Sequence, residues 1–558
     1  MSGRAGSVAT PRIRRAVAAG FALFALAGWA ADGPSATVGK SIYLRGISGS
    51  GAPLEATREG GGLSTKGADA ACVNCHQRSG LGANEGRNSV LIPPIAGRYL
   101  FHPRLAGPDE PDLPYVEGIR ANRDPYNEAT LARAIREGIS SDGKPLSYLM
   151  PRFALNDADM TSLIDYLKTL VPARVPGVTD TVLHFATIIT PDADPIKRRG
   201  MLDVMEHYFA EKNSRQMTPS PRLRASGKTQ YMRTMYMVHR QWQLHVWELT
   251  GAAATWQAQL ERHLTAEPVF AVISGLGREN WAPVHKFCQK EALPCLFPNV
   301  EVPVDSAQDF YSLYFSKGVL LEAGVIAKKI IDPGAGPPPK IVHQIYRAGD
   351  SGEAAAGALA AALKGHGIPV QDHVLAPAAQ ARGLPEAVRS ASRADVLVLW
   401  LRPEDIAALG EAPAAPLKIF VSGLMGELEH APLPSSWRTR SDLAYVFDLP
   451  ARRVAQVDYP LGWFRIRHIP VVAEQVQADT YLACGLLSEV LSHMVDTFVQ
   501  PYLIEQLQGM MEHRAITGYY PRLTLAENQH FASKGGYLVR FEGSDGTKIV
   551  SDGGWIVP

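Results

Sequence analysis

The chain has 558 residues, 46% hydrophobic and 20% charged, an ordinary globular composition that excludes a disordered chain, a coiled coil and a collagen-like repeat. Its 56 Lys and Arg against 55 Asp and Glu give a formal net charge of +1, which argues against a general nucleic-acid binder. Five cysteines are too few for a disulfide scaffold, and the odd count leaves at least one without a cysteine partner.

Arg4, Arg12, Arg14 and Arg15 form a basic start with no acid, and residues 16–30 are apolar throughout. That run is shorter than the ~20 residues needed to span a hydrocarbon core. Gly28 and Ala30 supply small residues before a cleavage point, so residues 1–30 are expected to be a secretory signal peptide cut near Ala30. An uncleaved anchor helix is the alternative. Cleavage removes four positive charges and takes the sum from +1 to −3. No later apolar run reaches membrane length, so the rest is expected in the periplasm without a stable membrane span. That compartment permits disulfides and covalent haem attachment.

Residues 31–175 carry Cys72-Val73-Asn74-Cys75-His76, the C-x-x-C-H attachment pattern of haem c. Two thiols on one turn can add to the two vinyl groups of one porphyrin, and the next residue brings an imidazole to the iron. His76 is then the proximal axial ligand, and its other nitrogen needs an acceptor to fix the tautomer. A redox C-x-x-C would want a thioredoxin-like βαβ context, and zinc would want a second Cys/His pair. The next cysteine is only Cys288. The sixth ligand is expected to be a thioether or a second imidazole. Met150 stands on a loop that Pro151 keeps out of helix, shortly before an amphipathic helix over residues 160–170 with Asn156 or Asp157 placed to cap it. Met160 reads as core and His102 as a rival ligand.

This layout resembles a class I cytochrome c: an N-terminal helix around Val38–Tyr43, the C-x-x-C-H motif, a Pro-rich turn at Pro93-Pro94, a Met loop and a C-terminal helix. The resemblance implies an all-α domain holding one haem c on Cys72 and Cys75, with His76 and Met150 as axial ligands. Pro93 or Pro94 would accept the proximal imidazole N–H through its carbonyl. Arg98 and Arg152 are candidate partners for the haem propionates. The 28 residues between Tyr43 and Cys72, and the stretch 102–128, are longer than a compact cytochrome needs.

A Pro/Gly-containing connector over 171–180 marks the boundary to residues 176–558. Strand and helix signals then alternate: strands at 182–189, 270–274, 294–298, 341–346, 394–401 and 418–422, helices at 196–211, 313–331, 353–364 and 478–512. The reading is α/β with a mainly parallel sheet and two lobes. The order resembles the type I periplasmic binding proteins of the branched-chain amino-acid kind, where ligands bind between lobes at the carboxyl ends of strands. By that resemblance Ser274, Gly275, Arg278 and Trp281 are cleft candidates, Arg278 as an anion clamp. Trp242, Trp247, Trp256 and Trp281 are read first as core or lobe-interface residues and second as the wall of an apolar cleft. Ligand class does not transfer, because residues 275–281 and 313–318 depart from the amino-acid binders. Cys288 and Cys295 are spaced for a disulfide, and Cys484 reads as a buried small hydrophobe.

The expected function is a mono-haem electron carrier whose second unit docks a periplasmic redox partner, a dehydrogenase or another cytochrome, or senses a small molecule. A solute-binding component of an importer with an accessory haem, and a haem-dependent redox enzyme, are the alternatives. No Ser-His-Asp set, paired carboxylates, P-loop or dinucleotide fingerprint argues for separate bond-breaking chemistry.

Overall fold

The computed structural model describes residues 34–58, 62–85, 90–101, 123–172, 174–214, 240–278, 280–306, 309–334, 337–377, 383–392, 395–413, 418–428, 433–494, 497–511, 516–526, 529–542 and 548–558. The signal-peptide segment 1–30 and His102 lie outside these residues.

The N-terminal unit is built on helices α1 (Pro34–Arg45), α2 (Val73–His76), α3 (Gly97–Leu100), α4 (Glu128–Glu137) and α5 (Asp157–Thr169). Asn127 and Thr130 form a reciprocal capping box on α4, and the Asn156 side chain accepts from Asp159 N at 2.8 Å to cap α5, each satisfying donors that a helix start leaves unpaired. Helices α1 and α5 cross at Gly39, where a Cβ would lie 1.9 Å from Ser162 O. Only a residue without a side chain permits that approach. Ile42, Tyr43, Leu163, Tyr166 and Leu167 close the core between them.

The unit is not helical throughout. Strands β1 (Glu55–Thr57), β2 (Ser64–Lys66), β3 (Ala83–Glu85), β4 (Val90–Ile92) and β5 (Arg152–Phe153) form an antiparallel sheet of order β2-β1-β5 and a hairpin β3-β4. The long stretch after Tyr43 is poor in helix formers, and its backbone groups find partners in a short ladder instead. The ladder ties β1 to the residues just after Met150.

Two lobes follow. In the first, β6 (Val182–Ile189), β7 (Gln241–Glu248), β8 (Ala271–Ile273), β9 (Cys295–Leu296) and β10 (Ser312–Leu313) make a parallel sheet of order β10-β9-β8-β6-β7. Helices α6 (Pro195–Ser214), α7 (Trp256–Ala266) and α8 (Ala282–Lys290) accompany it. In the second lobe, β11 (Val342–Arg347), β12 (Val370–Leu375), β13 (Val396–Trp400), β14 (Lys418–Ser422) and β15 (Ser441–Tyr445) run parallel. Strands β16 (Tyr537–Glu542) and β17 (Lys548–Ser551) add antiparallel, for an order β12-β11-β13-β14-β15-β16-β17. Its helices are α9 (Val319–Ile331), α10 (Ser351–Lys364), α11 (Leu384–Ala391), α12 (Pro403–Ala407) and α13 (Ser435–Arg438). The helices α14 (Pro450–Arg467), α15 (Glu474–Met494) and α16 (Gln500–Met511) come between β15 and β16. Strands β13 and β15 are buried at every position, as a sheet covered on both faces requires.

Two expected helices are shorter in the structure. The helix expected from Leu313 begins only at Val319, because Gly318 takes φ 55° and the residues before it supply β10. The long helix 478–512 divides into α15 and α16, because Pro501 disfavours helix at the residue before it and suits a helix's first turn. Among the described residues no helix is long and apolar enough to cross a membrane.

Candidate functional site

Helix α2 is a single turn that carries the C-x-x-C-H motif. His76 N donates to Cys72 O at 3.0 Å, which puts both thiols and the imidazole on one side of a turn. Neither Cys72 nor Cys75 is in a disulfide, and burial pushes the Cys72 thiol up to about 12. His76 is 6% exposed, and its Nδ1 lies 3.1 Å from Pro93 O. Burial lowers the imidazole to about 4 against the opposing Pro93 hydrogen bond. A neutral ring with Nδ1–H on a carbonyl keeps its lone pair on Nε2, the nitrogen a metal would take. Pro93 is exposed and Pro94 buried. These donors suit a covalently attached haem: two thiols at vinyl spacing, one oriented imidazole, and an apolar surround that includes Val73, Ile95, Leu100 and Met150.

Met150 lies in a turn whose N–H donates to Ser147 O at 3.0 Å, with its side chain partly buried against the same core. Arg152 Nη1 donates to Met150 O at 2.5 Å. The guanidinium lies over Gly138, where a Cβ would meet Cζ at 1.7 Å. Arg152 thus braces the backbone of the Met150 loop. Arg98 is exposed on α3, with its guanidinium 5.9 Å from the Tyr99 ring centroid.

The motif rests directly on the lobed unit. Ser79 gives Glu505 of α16 two hydrogen bonds, N–H to Oε1 at 2.8 Å and Oγ–H to Oε2 at 2.5 Å. Arg78 stacks 4.4 Å over the Phe310 ring, Leu81 joins the first lobe's core, and Tyr99 Oη lies 3.5 Å from Thr497 Oγ1. The sequence reading missed this contact; Ser79 and Glu505 stand 426 positions apart.

The cleft candidates after β8 are spent mostly on internal contacts. Ser274 is fully buried; its Oγ lies 2.9 Å from Thr480 Oγ1 of α15 and accepts from Asn299 Nδ2 at 3.0 Å. Gly275 sits against Trp281, whose ring would meet a Cβ there at 2.5 Å. Trp242, Trp247, Trp256 and Trp281 are all core residues, which answers the cleft-wall reading: large apolar rings fill the lobe interior. Arg278 is half-exposed and faces Asp350 at 3.6 Å. Its Nε and the Trp281 indole Nε1 are buried donors with no acceptor among the described residues.

Charges join the lobes. Arg402, after β13, binds Glu301 at 2.6 Å and Asp350 at 2.5 Å, and Ser351 Oγ donates to Glu301 at 2.7 Å. Burial pushes the Glu301 carboxyl up, but Arg402 and Ser351 outweigh it and hold it below its ordinary value. Lys197 of α6 reaches Glu427 at 3.0 Å. Cys288 and Cys295 are joined as a disulfide, and Cys484 is buried in α15. Among the described residues no three His, Cys, Asp or Glu side chains are grouped to hold a metal ion.

No curated protein matches the chain. Among solved structures it is similar to a fatty acid ABC transporter substrate-binding protein from Thermomonospora curvata (15% identity, TM-score 0.49, 70% of this chain and 95% of that one). It is also similar to a branched chain amino acid ABC transporter from Thermus thermophilus with bound valine (13%, 0.49, 68% and 97%), and to a leucine binding protein from Thermotoga maritima (11%, 0.48, 67% and 99%). The motif and helices α2 to α5 fall within residues 65–171, which match the family model described as Cytochrome c, and the two-lobed α/β unit follows that segment.

Proposed function

We propose that this protein is exported to the periplasm and carries single electrons on one haem c, with the lobed unit docking the redox partner. The observation that carries the reading is the one-turn constellation of two thiols outside any disulfide and a buried, neutral His76 oriented by Pro93, inside the segment matched as Cytochrome c. Cys72 and Cys75 would hold the porphyrin covalently, His76 Nε2 would bind the iron, and Met150 would supply a thioether ligand. When bound, the group supplies a one-electron couple whose potential a thioether ligand raises. The protein's part is to fix the ligands: Pro93 sets the imidazole tautomer, Arg152 braces the Met150 loop, and the apolar core limits water. The partner is a protein carrying a one-electron centre, such as a dehydrogenase or another cytochrome.

The absorption spectrum of the purified protein tests this. A low-spin ferrous haem c α-band with one haem per chain, and a weak ferric sulfur charge-transfer band, are expected. An open high-spin ferric spectrum would refute the electron-carrier reading in favour of haem catalysis.

A second reading, a small ligand taken between the lobes, is favoured by the two buried donors at Arg278 and Trp281. Both are suited to an acceptor group on the ligand. Calorimetry with amino acids, alcohols and aromatic acids separates the two: heat from one class supports ligand binding, and silence across the panel supports docking.

A further inference from the structure

We propose that the Glu505 carboxyl is a redox-linked proton site, taking a proton from solvent when the haem of the preceding reading gains an electron and releasing it when that electron leaves. The proposal rests on the electron-carrier reading and adds to it proton coupling through a residue of the other unit.

Position is the first support. Both Glu505 oxygens are held by Ser79, three residues beyond His76 in the loop that continues from α2. Tyr43 links the two sites: its hydroxyl donates to Gln77 O at 2.6 Å and lies within electrostatic reach of Cys72, Cys75 and Glu505 together. A charge gained or lost where the thiols would carry the porphyrin therefore acts on the carboxyl through apolar, low-dielectric surroundings.

Its charge neighbours are the second support. The cation facing Glu505 is Arg78, which is stacked on Phe310. Among the described residues the phenols that act on it are Tyr43 from α1, Tyr311 ahead of β10 and Tyr502 on α16 itself. Burial raises Tyr43, Tyr311 and Tyr502 above their ordinary range, so they stay neutral. Burial also raises Glu505 to about 7, against the lowering by Ser79 and Arg78. A carboxyl balanced near neutrality responds to a single added charge. Glu505 is only partly buried as a residue, so its proton can exchange with solvent.

The step balances in charge. An external one-electron donor protein reduces the ferric centre, and solvent supplies one proton to the Glu505 carboxylate. On oxidation by the partner both leave, and the charge of the ensemble is unchanged through the cycle.

The test is the midpoint potential of the full-length haem-loaded protein, measured by spectroelectrochemistry from pH 5.5 to 8.5. A tenfold change in proton affinity between the two haem states corresponds to about 59 mV for one electron. We expect at least a threefold change, about 28 mV on that scale, as a fall in midpoint with rising pH. E505Q should remove the fall while keeping the wild-type spectrum. S79A removes a hydrogen bond that favours the carboxylate, so it should move the fall to higher pH. A reversible couple whose midpoint falls by less than about 28 mV, the threefold change in proton affinity, or an E505Q protein that keeps the wild-type fall, overturns the proposal alone. Absence of a haem c couple overturns the electron-carrier reading, and the proposal with it.

Discussion

Replacing Gly39 by alanine strikes the point where α1 and α5 cross. The new Cβ would lie 1.9 Å from Ser162 O and 2.7 Å from Tyr166 Cβ, whereas a carbon–oxygen contact needs about 3.3 Å. The helices must separate by roughly 1.4 Å to accept it. The pairs that lose contact include Tyr43 and Tyr166, whose ring centroids are 5.3 Å apart. Overpacking of this kind costs about 1–3 kcal/mol. For a unit of this size that lowers the melting temperature by roughly 4–12 °C, at about 4 °C per kcal/mol. The assay is thermal unfolding of the haem-loaded protein followed at the Soret band. Gly357→Ala is the control: that helical glycine has no atom within 4 Å of a Cβ, so alanine should raise stability by about 0.5–1 kcal/mol. A Gly39→Ala protein that melts with the wild type would refute the argument that this crossing requires a bare backbone.

Met150→Ala should abolish the sulfur charge-transfer band and lower the midpoint potential while leaving covalent haem in place; an unchanged spectrum would remove Met150 from the ligand set. Replacing both Cys288 and Cys295 by alanine should cost about 2.5 kcal/mol, the loop-closure figure for a ring this short, read as a lower urea midpoint that reductant no longer shifts. Glu322 is fully buried beneath Ser422, with Leu424 N donating to it at 2.9 Å, and burial raises its carboxyl to about 8 against an ordinary 4.5. The folded chain therefore holds a proton that the unfolded chain releases. This contribution is complete below pH 4.5 and is lost as pH rises toward about 8, at up to about 1.4 kcal/mol per pH unit. E322Q should flatten that stretch of the urea-midpoint profile, and a profile identical to wild type would exclude Glu322 as its source.

What the sequence discloses is what is local. C-x-x-C-H is a single turn, so its five residues announce the site without any tertiary information. The strand Val182–Ile189 is legible for the same reason, as an apolar β-branched run with the bounds that the structure shows. The Asn156 cap is read from one residue before a periodic run. The failures are non-local. Residues 313–318 are apolar enough to extend a helix, but Leu313 pairs with β9 instead. The short sheet in the N-terminal unit depends on β5, nearly a hundred residues after β1. Ser79 is an ordinary serine until Glu505 arrives from the far end of the chain. A glycine after a strand signals either a ligand's approach or a ring's, and beside Gly275 it is the Trp281 ring that takes the space of a Cβ.

The way the lobes are joined bears on which surface meets a partner. Arg402 is shared between two carboxylates from opposite sides of the interlobe region, and all three side chains are largely withdrawn from water. Parting the lobes would break the Arg402–Glu301 pair, which crosses from one lobe to the other, while Asp350 stays beside Arg402. A ligand entering between the lobes must offset that loss with its own contacts, and the two donors without acceptors at Arg278 and Trp281 are what the region offers it. A protein docking on the outside faces no such cost. The cytochrome segment is already seated on the first lobe through Leu81, Arg78 and Ser79, so the lobed unit presents a fixed frame beside the haem motif. Electron transfer rewards a fixed donor–acceptor geometry. The energetic balance therefore favours lobes that stay joined through Arg402 and Glu301.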